Sequence, residues 1–225
     1  MLGIDTCGPA GSVALGRLDE SVAGPRVEVL HQLELEGRSY SATLVTAIGD
    51  LLGRGGARID DLHCLVAVRG PGSFTGVRVG LSTVKGLAEA AGVPIVAVSR
   101  LEVLAAKAGA DSGALDAHRS ELFVRIGTPG KEPVELLAGA AELAAIAPAP
   151  ERVIVCDEAT AAMLHSAWPA AELVRVEAPT AADAMQLAAP LVAAREFVDP
   201  LVLDGHYLRR SDAEIFGEAA AARLA

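Results

Sequence analysis

The stretch "LHCLVAVRGPGSFTGVRVGLSTVKGLAEAAGVPIVAV", from Leu62 to Val98, contains two short apolar runs separated by a glycine-rich turn and a helical pattern. The runs at 62–68 and 93–98 have the composition and length of buried strands. Between them, Val77, Leu81 and Val84 recur at helical spacing and predict an amphipathic helix. The stretch therefore predicts a strand, a helix and a second strand, the alternation from which α/β proteins are built.

The same order of elements extends outward from this stretch and then repeats along the chain. The first unit has predicted strands at 1–6, 11–18, 27–36, 62–68 and 93–98, and predicted helices at 39–52, 76–92 and 100–109. The second unit has predicted strands at 113–118, 121–127, 133–137, 152–156 and 172–176, and predicted helices at 139–147, 158–168 and 180–197. Two βββαβαβα units predict an α/β fold with two mixed sheets and helices on both faces of each sheet.

The repeat also predicts the domain organisation and several helix ends. We expect an N-terminal subdomain at 1–109, a C-terminal subdomain at 110–198 and a tail at 199–225. Ser99 with Glu102, and Thr180 with Asp183, have the spacing of capping boxes at helix starts. Pro190 should kink or interrupt the last helix. In the third strand, Val27, Val29 and Leu33 are expected on one face, opposite the glutamates.

Composition limits the classes of function. The chain has 225 residues, is 52% hydrophobic and only 3% aromatic, and carries a net charge of −10. This length is enough for a sizeable core, which must consist mostly of Val, Leu, Ile and Ala. No long basic run is present, so we expect the isolated chain not to bind tRNA or other nucleic acid tightly.

The sequence predicts a cytoplasmic protein without a cofactor or a metal. The N-terminus lacks the pattern of a signal peptide, and no apolar stretch is long enough to span a membrane. Cys7, Cys64 and Cys156 are far apart, which favours neither a disulfide framework nor a CxxC metal site. None of the five histidines lies three to five residues from another, so the sequence contains no helical metal-binding pair.

The glycine-rich turn from Arg69 to Gly80 matches none of the common phosphate-binding or nucleophile motifs. We instead expect a structural turn that ends in a helix cap, formed by Gly70, Pro71, Gly72, Ser73 and Thr75. Gly76 and Gly80 lie one helical turn apart and predict a groove without side chains. Either the chain's own sheet or a helix of another chain could pack closely in that groove.

The duplicated units resemble the actin, hexokinase and heat-shock-ATPase (ASKHA) superfold, in which a nucleotide lies between the two halves. That resemblance implies two hairpin turns that grip phosphate and a glycine-rich element that holds adenosine. Asp5 and Thr6 end the first strand, where members of the superfold keep an acidic residue for metal or water. The second turn contains the bulky His118 and Arg119, and the expected adenosine element at 155–163 has no glycine. Only the first of the three gripping elements is therefore retained.

Several segments closely resemble those of the bacterial TsaB family. They are "GPGSFTGVRVG" with the following "PIVAVSRLEVLA", the hairpin "IDTCGPAGSVAL", the segment "LDAHRSELFV" and the C-terminal "HYLRR". The resemblance implies a non-catalytic paralogue of TsaD, which supports threonylcarbamoyl transfer to the adenosine beside the anticodon of ANN-decoding tRNAs. The HxxxH motif through which TsaD holds its metal is absent from this chain.

The resemblance also implies partners and a binding surface. They are a TsaD-like catalytic subunit, a TsaE-like ATPase and a second copy of the chain, bound through the two helices of the first unit. The residues assigned to this surface are Tyr40, Leu44, Ile48, Gly76, Val77, Gly80, Leu81 and Val84. The alternative function is an active ATPase or phosphotransferase of the superfold that uses Asp5 and Thr6.

Overall fold

The structure is a computed structural model that describes residues 1–20, 24–37 and 39–209. Every predicted strand and helix is present, with ends that differ by a few residues. The strands are β1 (Leu2–Asp5), β2 (Ala10–Asp19), β3 (Arg26–Glu36), β4 (Leu65–Val68), β5 (Ile95–Val98), β6 (Gly113–Asp116), β7 (Leu122–Thr128), β8 (Lys131–Ala138), β9 (Arg152–Val155) and β10 (Glu172–Arg175). The helices are α1 (Tyr40–Arg54), α2 (Phe74–Ala91), α3 (Arg100–Ala106), α4 (Ala140–Ala145), α5 (Glu158–Ala167) and α6 (Ala181–Ala193), with a 3-10 helix at Ile59–Asp61.

The strands form two sheets of the same design. The first sheet has the order β3-β2-β1-β4-β5, and the second has the equivalent order β8-β7-β6-β9-β10. In each sheet the first three strands are antiparallel and the last two join in parallel. The parallel strands are short, apolar and buried on both faces in the first sheet, as β4 and β5 show. The predicted α/β fold of the ASKHA type is confirmed.

Two helices pack against the sheet of the other unit. The helix α3 follows β5 of the first sheet but packs against β6, β7 and β9 of the second. Conversely, α6 follows β10 of the second sheet but packs against β1 to β5. The backbone of α6 approaches β1 closely, because a Cβ at Gly3 would lie 2.7 Å from the Ala181 carbonyl oxygen. The boundaries at 109 and 198 stay predictions, and the packing of these two helices crosses the one at 109.

The helix-start predictions succeed in part. Thr180 and Asp183 form the predicted capping box, with Asp183 N donating to Thr180 Oγ1 over 3.3 Å. Ser99 caps α3 by accepting from Leu101 N at 3.2 Å. Glu102, the expected second member of this capping box, instead has its Oε1 3.9 Å from Arg125 Nη2.

Two local expectations do not hold as stated. The helix α6 is not interrupted at Pro190, because it continues to Ala193, and a kink at Pro190 stays a prediction. In β3, the register shifts so that Leu15 faces His31 while Gly16 faces Val29. The extra residue is a β-bulge, which changes the direction of the following side chains. As a result, Val27 and Val29 do not share the face of Leu33, and on their own face Val27 is buried whereas Val29 is 39% exposed.

Candidate functional site

The glycine-rich turn connects β4 to α2 and touches the β1–β2 loop. Gly70 has φ +105°, a conformation that favours glycine. A Cβ at Gly72 would lie 2.2 Å from the Cys7 carbonyl oxygen, so the close approach of the two loops also requires glycine. Ser73 is the N-cap of α2 and accepts from Gly76 N at 3.3 Å. Pro71 precedes these residues, and Thr75 is the second residue of the helix.

The expected open groove at Gly76 and Gly80 is not found, because this chain's own Thr6 fills it. A Cβ at Gly76 would lie 2.0 Å from the Thr6 carbonyl oxygen, and a Cβ at Gly80 would lie 2.3 Å from Thr6 Oγ1. The Thr6 hydroxyl donates to the Gly76 carbonyl oxygen over 2.7 Å. The two glycines therefore allow α2 to pack closely on the end of β1. Their role in partner binding stays a prediction.

The apolar residues assigned to partner binding also face inward. All six are buried in the core of the first unit: Tyr40, Leu44, Ile48, Val77, Leu81 and Val84. The opposite faces of α1 and α2 are exposed and carry small side chains. On α1, Val45 is 66% exposed, and a Cβ added at Gly49 would meet nothing within 4 Å. On α2, Gly86 has the same open surroundings. We call Val45, Gly49, Gly86 and their exposed neighbours the α1/α2 outer face; the neighbours are Ala42, Gly53 and Ser82.

A cleft of about 1100 Å³ separates the two units. Its first wall comprises the β1–β2 loop, Tyr40 and the start of α2, and its second wall comprises 115–119. The segment 206–209 closes one side. The Tyr40 hydroxyl donates to the Gly8 carbonyl oxygen over 2.8 Å and so fixes the first loop. Burial, followed by the charge of Asp5, raises the pKa of Tyr40 to about 12.

Asp5 is occupied by an internal ion pair. Arg100 Nε lies 3.2 Å from Asp5 Oδ2, and both side chains are at least 93% buried, with exposed fractions of 7% and 1%. Asp5 Oδ1 accepts from Cys7 N at 2.8 Å. Burial alone would lower the pKa of Arg100, but Asp5 and Cys7 raise it above its ordinary value. Asp5 and Thr6 are both absent from the cleft lining, which weighs against the alternative in which they act on a nucleotide.

The second hairpin turn is conformationally strained. His118, Arg119 and Ser120 have φ values of 60°, 57° and 59°, in the left-handed region that non-glycine residues rarely adopt. Such strain is stored where the surrounding structure holds it in place. Here the Arg209 guanidinium donates to the Ala117 carbonyl oxygen at 2.8 Å. It also pairs with Glu121 beside the turn.

The segment 206–209 connects both units across the cleft. His206 N donates to the Arg69 carbonyl oxygen over 2.7 Å, and its Nε2 lies 2.8 Å from Glu135 of β8. The Tyr207 ring packs 5.1 Å from Phe74, and the Arg78 guanidinium lies 3.8 Å above the Phe74 ring. Arg210, the last residue of the "HYLRR" segment, lies outside the described residues.

Glu135 joins these elements through a buried polar cluster. It accepts from the Ser99 hydroxyl at 2.7 Å and from Arg125 at 2.8 Å, besides its contact with His206. Burial alone would raise the pKa of Glu135, but hydrogen bonds from His206, Ser99 and Arg125 lower it below its ordinary value. The cluster ties the end of β5 to the second sheet and to the C-terminal segment.

Sequence reasoning missed the arginines of the cleft. Arg100 follows the apolar run "PIVAV" directly after the capping residue Ser99, and this charge at the end of a buried strand was the available signal. Arg78 and Arg209 gave no such signal, because exposed arginines on helices and in tails are common. Within the described residues, no group of three or more His, Cys, Asp or Glu side chains lies close enough to hold a metal ion. Among these same residues, no helix is both long and apolar enough to cross a membrane.

Comparison with known proteins places the chain among relatives. A family model described as "TsaD: tRNA N6-adenosine threonylcarbamoyltransferase" matches residues 34–126. The tRNA threonylcarbamoyladenosine biosynthesis protein TsaB of Escherichia coli (strain K12) is 35% identical over 129 residues, which cover 55% of this chain and 52% of that protein. The structure of YeaZ from Pseudomonas aeruginosa superposes with a TM-score of 0.69 at 27% identity, covering 92% of this chain and 98% of that chain. The chain belongs to the TsaB family.

The extent of the match differs between relatives. This TsaB-family chain spans about half the length of the curated TsaB proteins that it matches. An uncharacterized protein of Mycobacterium tuberculosis (strain CDC 1551 / Oshkosh) is 30% identical over 217 residues, which cover 95% of this chain and 93% of that protein. The curated TsaB matches therefore concern part of the chain, while the mycobacterial relative and the YeaZ structure match almost all of it.

Proposed function

We propose that this TsaB-family chain is a non-catalytic subunit in the biosynthesis of tRNA threonylcarbamoyladenosine. It would act by binding a TsaD-like catalytic subunit through the α1/α2 outer face. The name of the E. coli relative supports the pathway, and the family model that matches residues 34–126 covers α1 and α2. A TsaE-like ATPase and a second copy of the chain are further proposed partners.

The observation that carries the docking role is the shape of the α1/α2 outer face. Two adjacent helices present open space at Gly49 and Gly86, so the backbone of another helix can approach closely. Val45 supplies an apolar side chain that is 66% exposed. A face of this kind gains stability when another helix covers it, because the approach buries apolar surface without displacing large side chains.

The observation that supports a non-catalytic role is the pairing of Asp5 with Arg100. A carboxylate that holds a metal or a water in a nucleotide site must reach the cleft. Here the Asp5 oxygens instead contact Arg100 Nε and Cys7 N. The charge of Asp5 is compensated inside the protein, which leaves no carboxylate at the end of β1 for catalysis.

The docking proposal is tested by placing a charge in the outer face. Val45→Glu should abolish co-purification with the TsaD-like subunit and reduce tRNA modification in a reconstituted reaction. The thermal midpoint should stay near that of the wild type, because Val45 is largely exposed. Val134→Glu is the matched control, since Val134 is 57% exposed on β8 of the second unit. If Val45→Glu and Val134→Glu bind the partner equally well, the outer face is not the docking surface.

A further inference from the structure

We infer that the cleft between the two units binds a small molecule that presents a carboxylate or phosphate group. Arg100 would be the anchoring cation, and no metal ion would be needed. This inference concerns a surface distinct from the α1/α2 outer face, and it does not depend on the proposed docking role.

The charge of the cleft is opposite to that of the protein. The chain carries a net charge of −10, yet the described residues that line the cleft include four arginines, two histidines and a single carboxylate, Asp116. The basic side chains of the lining are Arg78, Arg100, Arg119, Arg209, His118 and His206, of which the four arginines are cations at neutral pH. Asp5 and Glu121 compensate Arg100 and Arg209, and Asp116 lies 3.0 Å from His118 Nδ1. Arg78 has no carboxylate partner among the described residues.

The decisive group is the Arg100 guanidinium. Its side chain is only 7% exposed, but it lines the cleft. Arg100 has five N–H donors. Within the described residues one of them has an acceptor, because Nε donates to Asp5 Oδ2. The two Nη groups are not among the buried side-chain atoms that lack a hydrogen-bond partner, and the cleft that Arg100 lines gives an acceptor access to them. An oxyanion matches the fork of the two Nη groups and would satisfy them with charge-assisted hydrogen bonds.

The start of α2 supplies further donors to the same cleft. Phe74 and Thr75 line it, and their backbone N–H groups have no acceptor within the described residues. The first turn of α2 contains no acidic residue that would satisfy the positive end of the helix. Arg78 projects from the next turn and packs on the Phe74 ring. A buried arginine, a helix start and an exposed arginine thus all contribute donors to the lining of the same cleft.

The same residues favour a metal-free anion over a metal–nucleotide complex. A divalent cation of the magnesium type binds through carboxylate oxygens. Among the residues that the structure describes, the cleft lining contributes Asp116 alone, and the carboxylate at the end of β1 is paired with Arg100. The guanidinium therefore occupies the electrostatic role that a metal would otherwise have. A volume of about 1100 Å³ accommodates a small molecule beyond its anionic group.

The test uses the full-length protein, with pyrophosphate and citrate as probes, in EDTA and at constant ionic strength. We expect at least one probe to bind at a single site, with the largest amide NMR shifts at Phe74 and Thr75. Arg78→Gln should weaken binding about tenfold, which is the change in affinity expected when one charge-assisted hydrogen bond is lost. Arg17→Gln should leave binding unchanged, because Arg17 is an exposed residue of β2 outside the cleft lining.

Arg100 itself requires a paired substitution. Arg100→Gln alone would leave Asp5 buried without its partner and could unfold the chain. The double variant Asp5→Asn with Arg100→Gln removes both charges, and it should fold but lose binding of both probes. Binding of pyrophosphate alone would assign the site to phosphates, and binding of citrate alone to carboxylates. Absence of binding by both probes, binding only with Mg²⁺, or equal losses in Arg78→Gln and Arg17→Gln would each overturn the inference.

Discussion

Replacing Gly76 with alanine tests the close packing of α2 on β1. The added Cβ would lie 2.0 Å from the Thr6 carbonyl oxygen, against an ordinary contact distance of 3.4–4 Å. The obstacle is main chain at the buried end of β1, so rotation of a side chain cannot relieve the contact. The helix or the strand must move by more than 1 Å, and this movement stretches the hydrogen bond from Thr6 to Gly76.

The expected cost is about 2–3 kcal/mol, in the upper part of the range for overpacked cores. For a domain of this size, that loss lowers the thermal midpoint by roughly 4–12 °C. Gly86→Ala is the control on the same helix. The Cβ added at Gly86 would meet nothing within 4 Å, so the higher helix propensity of alanine should stabilise the protein by about 0.5–1 kcal/mol. Denaturant unfolding of the two variants measures both values. Equal stabilisation by both substitutions would refute the assigned packing of α2.

Three further predictions concern the polar cluster and the thiols. Ser99→Ala should lose about 2–3 kcal/mol in denaturant unfolding, because Ser99 both caps α3 and donates to Glu135. The lowered pKa of Glu135 stabilises the fold above the ordinary glutamate pKa, near pH 4.3, and this stability is lost as the pH falls through the lowered value. The stability of Glu135→Gln should thus fall less steeply than the wild type's on acidification below that pH; parallel curves would contradict this. Burial raises the pKa of all three thiols, to about 11 for Cys64, and only Cys156 is partly exposed. A thiol reagent at neutral pH should therefore label Cys156 first, and mass spectrometry showing earlier labelling of Cys7 or Cys64 would disprove the assigned burial.

The elements of this fold could be predicted because their signals are local. Apolar runs such as 62–68 and 93–98, and the helical spacing of Val77 and Leu81, identify strands and helices without knowledge of their neighbours. The capping box at Thr180 is equally local. The bulge at Leu30 was missed because it depends on the pairing of β3 with β2, which the alternation of β3 alone does not contain.

The candidate sites could be predicted only in outline. An apolar stripe such as Leu44 and Ile48 shows that α1 has a buried face, but the same stripe fits this chain's own sheet and a partner's helix. The groove at Gly76 had the same ambiguity, and its occupant proved to be Thr6, which lies 70 residues away in sequence. The pairing of Asp5 with Arg100 spans 95 residues and leaves no periodic trace in the sequence.

The sequence by itself determined the α/β class, the repeated order of elements and the family, since these depend on patterns within short segments. The tertiary structure decided which helix covers which sheet, which faces of α1 and α2 remain exposed and which charges meet in the cleft. These features depend on contacts between residues distant in the chain. The free energy of such contacts comes from packing and desolvation in three dimensions, so the basic cleft of an acidic protein emerges only when both units are assembled.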